Sequence, residues 1–133
     1  MECPQDVDAY DVTYRFHEAI VPIKYKRIRE AGRMREAMGI LEEARERLQR
    51  VGAADFHDLA RYHSAESMLM AAEATYRAAL MREESRAQHF RGDLPERDDR
   101  NWFKWIDIAQ EGNEARLSTV PIPIRSHRLQ PDQ

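Results

Sequence analysis

The feature that most constrains this chain is a pair of long amphipathic stretches joined by only a few residues. From Lys26 to Val51 the apolar positions Ile28, Ala31, Met34, Met38, Leu41, Ala44, Leu48 and Val51 return at steps of three and four, while Arg, Glu and Lys occupy the other faces. Such spacing lays an apolar stripe along one side of a helix. A second stripe, Leu59, Tyr62, Leu69, Ala72, Tyr76, Ala79 and Leu80, predicts a helix from about Asp55 or Phe56 to the region of Arg86. Between the two, Gly52 is placed to cap the end of the first helix, and Asp55 to accept from the free amides of the second. A connection this short cannot carry the chain back to the far end, so the helices must pack antiparallel. The small residues Ala65, Ala71, Ala72, Ala74, Ala78 and Ala79 let another helix approach closely.

That third helix is expected before the hairpin. Asp8 to Val21 carries Tyr10, Tyr14, Ile20 and Val21 among polar residues, and Pro22 interrupts any helix that reaches it. Beyond Gln88 the pattern changes. His89 to Asn101 holds Gly92 and Pro95 within a run of charges and reads as a loop. Trp102 to Ala109 and Ala115 to Val120 flank the turn residues Glu111, Gly112, Asn113 and Glu114, which predicts a small β-hairpin. Pro121, Pro123 and Pro131 then hold the end extended. The 133 residues, 42% of them apolar, suffice for one core, so one domain over 1–133 is expected: a mainly α three-helix bundle over about 8–88, loop and hairpin over 89–122, and a tail from 123.

Several functions are disfavoured on chemistry. The net charge of -3 is spread over interleaved acids and bases, which gives no footprint for nucleic acid or anionic lipid. The longest apolar runs, Ala19 to Ile23 and Met68 to Ala72, are too short to span a bilayer, and no basic region precedes an apolar one at the start, so a soluble cytoplasmic protein is expected. The single Cys3 has no internal partner and fits a reducing compartment. A pyrophosphate-binding turn needs clustered glycines, but Gly32, Gly39, Gly52, Gly92 and Gly112 lie far apart. Nucleophile elbows and paired Cys-x-x-Cys spacings are missing as well. His63 and Glu66 fall one helical turn apart, half of a carboxylate-bridged metal motif, but no second copy follows. The methionines at 34, 38, 68, 70 and 81 mostly fit core positions. The chain is thus expected to carry no catalytic, cofactor-binding or metal-ligating residue.

The informative stretch runs from Arg82 to Trp102. A mixed-sign run across a helix end and a loop can satisfy backbone groups and ion pairs together, fixing a loop with little apolar content. Arg86 is expected to be at least partly buried and paired with a loop carboxylate among Asp93, Asp98 and Asp99, or with a loop carbonyl. The order Glu84-Ser85-Arg86, His89, Arg91, Asp93, Pro95, Arg97-Asp98-Asp99 and Asn101-Trp102 resembles a signature near the C-terminus of flavoproteins of the fumarate reductase and succinate dehydrogenase family, with L-aspartate oxidase and adenylylsulfate reductase among its relatives. The resemblance implies a helical C-terminal domain of an FAD oxidoreductase, with the FAD and the catalytic residues on flavin-binding and capping domains that would precede Met1. It also implies a structural or docking role for the twelve matching residues. The implied partners are those two domains and an iron–sulfur subunit, with a homo-oligomer if the docking face near Arg86, His89 and Trp102 is left uncovered. Ala87 departs from the family, which usually has glycine there, so the helix is expected to run further or to exit differently. Two other readings remain open at this point, a stand-alone helical adaptor and, less well supported, a metal- or cofactor-binding bundle.

Overall fold

The computed structural model describes residues 7–112 and 114–123; Cys3 and Pro131 lie outside the described residues. The first helix, α1 (Ala9–Ile20), starts at Asp8, whose Oδ1 accepts from the Tyr10 amide at 3.0 Å. Its buried residues are Ala9, Val12, Phe16 and Ala19, a three-and-four spacing that faces the bundle. Tyr10 and Tyr14, which the sequence pattern placed in the apolar set, point to solvent, as an amphipathic ring can at little cost. Tyr10 instead lies under the Arg61 guanidinium, 4.8 Å from the ring centroid. Pro22 ends α1 as expected and precedes a single turn, α2 (Ile23–Lys26), which buries Tyr25.

The helix predicted to begin at Lys26 begins later, as α3 (Ala31–Leu48). The intervening residues are drawn out by the distant loop: the Arg29 amide donates to the Phe90 carbonyl at 3.1 Å, and the Gly92 amide donates to the Arg29 carbonyl at 2.7 Å. Two segments this close favour glycine at 92, because a Cβ there would stand 3.1 Å from Ile28 Cγ2 and 3.2 Å from Glu30 Oε1, and both side chains would have to give way. Ile28, expected in the core, is consequently exposed, and the α3 stripe is Met34, Ala37, Leu41, Ala44 and Leu48. Nor is Gly52 the cap of α3, which ends earlier in a tightened turn, Arg50 amide to Arg47 carbonyl and Val51 amide to Leu48 carbonyl. Val51 then bridges to Val7.

Asp55 caps α4 (Phe56–Met81) as anticipated, accepting from the amides of His57 at 2.8 Å and Asp58 at 2.9 Å. The α4 core residues are Ala65, Leu69, Ala72, Tyr76 and Ala79; Leu59, at its solvent-facing start, is exposed. Contacts fix the arrangement of the three helices. Val7 meets Val51 and Arg15 meets Glu43 at 2.5 Å, so α1 runs antiparallel to α3. Tyr10 meets Arg61, and the buried Tyr76 hydroxyl donates to the Ala19 carbonyl at 2.7 Å, so α1 runs alongside α4 in the same direction. The helices α3 and α4 are therefore the antiparallel pair.

The helix α4 stops at Met81 rather than near Arg86. Ala87 does not prolong it: at φ 51° it takes the left-handed turn itself, between the paired residues Arg86 and His89. The following loop includes one helical turn, α5 (Asp99–Trp102), which claims Trp102 from the predicted hairpin. The hairpin, β1 (Lys104–Glu111) and β2 (Glu114–Pro121), pairs Lys104 with Pro121 and Trp105 with Val120, and Gly112 at φ 63° supplies the turn. No described helix is long and apolar enough to cross a membrane.

Candidate functional site

The signature residues meet where α4 ends, and the centre of the meeting is a carboxylate. Glu84 is fully buried. Its Oε1 accepts from Arg82 Nη1 and Arg86 Nε, both at 2.7 Å, and its Oε2 accepts from Arg86 Nη2 and the Asp98 amide, both at 2.9 Å. Burial pushes this carboxyl up, but the donors from Arg86, the Asp98 amide and Arg82 outweigh it, and the net shift is downward. Arg86 also reaches Asp99 Oδ1 at 2.5 Å, and Asp99 is shared with Arg97. The expectation that Arg86 is partly buried and paired with a loop carboxylate holds, with Glu84 as its forked partner and Asp99 as the loop one.

A second pair joins two helix ends. Arg91 is buried, and its Nη1 donates to the carbonyls of Ala79 and Arg82 at 3.2 Å, acceptors at the end of α4 that no further helical turn reaches. Its Nε and Nη2 fork onto Asp93 at 2.7 Å each. Asp93 Oδ2 in turn accepts from the Ala31 amide at 3.0 Å, at the start of α3, where Glu30 offers no side-chain cap. A cation thus closes a helix C-terminus and an anion a helix N-terminus, each at the end whose dipole favours it. The bond from Arg91, together with the Ala31 amide, holds the Asp93 carboxyl well below the usual range. Ser85 locks the loop between them: its Oγ accepts from the Arg91 amide at 2.8 Å and donates to the Leu94 carbonyl at 2.9 Å.

His89 occupies the edge of this network. Arg29 Nη1 lies 2.9 Å from its Nδ1, and a guanidinium can only donate, so Nδ1 is the acceptor and Nε2 carries the hydrogen facing the Arg82 carbonyl at 3.4 Å. The ring is neutral. Burial and the nearby Arg29, Arg82 and Arg91 push its pKa down, against the Arg82 carbonyl, which raises it.

The remaining signature residues are peripheral. Asp98 caps α5 through the Asn101 amide at 3.0 Å and side chain at 2.8 Å; Pro95 and Arg97 are exposed, and Trp102 is flanked by Arg82 and Lys104. Two arginines of the network were not singled out in the sequence. Arg82 ties Glu84 to the end of α5 through the Trp102 carbonyl at 3.2 Å and to the hairpin through the Lys104 carbonyl at 2.7 Å, and Arg29 anchors His89. Arg82 lay inside the charged run and could have been found there; Arg29, sixty residues away from its partner, carried no local signal. His63 and Glu66 meet at 3.3 Å on the exposed face of α4, and among the described residues no group of three or more His, Cys, Asp or Glu could hold a metal ion.

The same architecture recurs in known proteins. A family model for the C-terminal region of the fumarate reductase flavoprotein matches residues 20–133. A mutant of the FrdA chain of E. coli quinol fumarate reductase superposes over 100% of this chain with a TM-score of 0.84 and 22% identity. Adenylylsulfate reductase from Archaeoglobus fulgidus covers 90% at 0.78 and 22%, and the apo Sdh1 complex of Mycobacterium smegmatis covers 91% at 0.68 and 24%. In these structures the matched part is only 24%, 20% and 22% of the whole chain, respectively.

Proposed function

Because the chain belongs to the fumarate reductase flavoprotein C-terminal family, we propose that it is the structural and docking domain of an FAD-dependent oxidoreductase and has no catalytic activity alone. One observation carries this reading. The charged groups of the signature are spent on one another and on helix ends, with Glu84 accepting four hydrogen bonds and Arg91 closing α4, so none is left poised around a substrate space. Electron transfer and the FAD belong, on this reading, to the flavin-binding and capping domains, with an iron–sulfur subunit beyond them, in the cytoplasm.

Purified alone, the chain should retain no flavin through dialysis and should show no redox activity toward fumarate, succinate or aspartate. A flavin absorbance band at one equivalent per chain would overturn the proposal. Phe90, Trp105 and Ile108 are each at least two-fifths exposed, at 44%, 50% and 42%, so self-association of the isolated chain is also expected. Light scattering across a concentration series reads it directly, and a strict monomer at high concentration would refute it.

A further inference from the structure

Two grooves run along α4 and share Arg29 and Thr75 as a common wall. One opens toward Phe16 and Tyr76, and the other lies between α4 and the hairpin, beside Ala78, His89, Trp105 and Ile108. Arg29 is partly buried at their junction and makes no ion pair among the described residues. Of its five N–H donors one is taken by the neutral His89 ring. The acids of the loop and of the start of α3 are committed elsewhere, Glu84 to Arg82 and Arg86, Asp93 to Arg91, Asp99 to Arg86 and Arg97, and Glu30 to Arg33. Arg82 and Arg91 add positive potential at His89, and Lys26 lines the first groove.

A partly desolvated cation without a counter-charge, set between apolar walls, is complementary to an acid with apolar neighbours. We propose that the groove between α4 and the hairpin receives an acidic side chain flanked by apolar residues, presented by the remainder of the parent flavoprotein, and that the Arg29 guanidinium is its anchor. The occupant follows from the charge and from the share of the matched structures that lies outside this chain, about three-quarters of the fumarate reductase chain by its 24% coverage. The proposal rests on the docking role given above. It adds which surface docks and what chemistry that surface selects.

The probe is a pair of peptides, acetyl-Leu-Glu-Leu-amide and its glutamine counterpart, titrated into the intact chain and followed by NMR at the Thr75 and Ala78 amides and the Trp105 indole. The glutamate peptide should bind about tenfold more tightly, as a charge-assisted bidentate contact requires. That preference should vanish in Arg29→Gln and persist in Arg35→Gln, which alters an exposed arginine of α3. Equal affinity for the two peptides would overturn the proposal, and this arm needs only the wild-type chain, so it stands even if Arg29→Gln fails to fold. A preference that survives in folded Arg29→Gln would also overturn it. If free acetate displaces the glutamate peptide at equal concentration, the site is one for small carboxylates and the docking assignment is wrong. If the groove signals shift with protein concentration and the glutamate peptide does not reverse that shift, the occupant is a second copy and the assignment again fails. Flavin retention is measured separately, so an inert groove and a catalytically competent chain give different results.

Discussion

The helical bundle and the charged loop at its end are held by opposite means. In the bundle, Met34, Leu41, Leu48 and Leu69 pack against Ala37, Ala44, Ala65 and Ala72, and what matters is volume and the placement of small residues that let helices approach. In the loop, little is apolar, and Glu84, Arg86, Arg91 and Asp93 are held by directed bonds that leave no freedom of geometry. A region of the first kind tolerates near-isosteric exchange, because dispersion is non-directional. A region of the second kind does not, because each partner removed leaves another charge or backbone group stranded out of water.

The largest effect should come from an exchange that preserves shape. Glu84→Gln keeps volume but leaves Arg82 without its counter-charge and Arg86 with Asp99 alone, and should cost about 3 to 5 kcal/mol in urea unfolding. A midpoint within error of wild type would mean that the two regions do not differ as described. Arg86→Ala should cost less, on the order of 2 to 4 kcal/mol, since Arg82 and the Asp98 amide still hold Glu84. An unchanged thermal midpoint would show that Arg86 serves the contact with the parent's other domains instead of this fold.

The comparison sharpens with conservative changes made one in each region. Arg91→Lys keeps the charge but cannot cap α4 and fork onto Asp93 at once, and should cost about 2 to 3 kcal/mol. Leu69→Met, at a site only 2% exposed, should cost less than about 1.5 kcal/mol. If calorimetry ranks them the other way, packing governs both regions. Ala87→Gly should stabilise the chain by about 1 kcal/mol, since it relieves a left-handed alanine at φ 51° at the turn into the loop. A destabilised variant would place that strain elsewhere.

The smallest effect is expected from pH. The folded pKa of His89 lies below its ordinary value of 6.5, so the unfolded chain takes up the proton first and stability falls as pH drops below about 6.5. Urea midpoints at pH 7.5 and 5.5 should differ more in the wild type than in His89→Gln. Glu84, Asp93 and Asp99, with lowered pKa values, act with the same sign as His89 but at lower pH: their stabilisation is present above the carboxylate range and is lost only at more acid pH, which keeps the two windows apart. Identical pH slopes in both proteins would exclude His89 as the source.

The bundle was legible because helical periodicity is a local property. Asp55, with its short side chain just before an apolar stripe, marked the start of α4, and the brief connection dictated an antiparallel pair. Tyr10 and Tyr14 misled because an aromatic residue counts as apolar in a pattern while its ring is content at the surface. The loop was legible as a site by its order of residues and by the charge of Arg86, but its pairings were not. Glu84 was closer to Arg86 in sequence than any loop acid considered, and it qualifies only because the chain leaves the helix at Met81 and turns at Ala87.

What the sequence alone determined is therefore the three helices, the hairpin and the family signature, each written in spacing or order within a short window. What only the tertiary structure decided is where those elements stop and which charges meet. The delayed start of α3 is set by strand-like bonds from Arg29 to Phe90 and Gly92, and its first amide is capped by Asp93, sixty-two residues away. The reason is physical: a backbone amide or a buried charge takes whichever partner folding brings within about 3 Å, and no local pattern encodes a partner supplied by a distant loop.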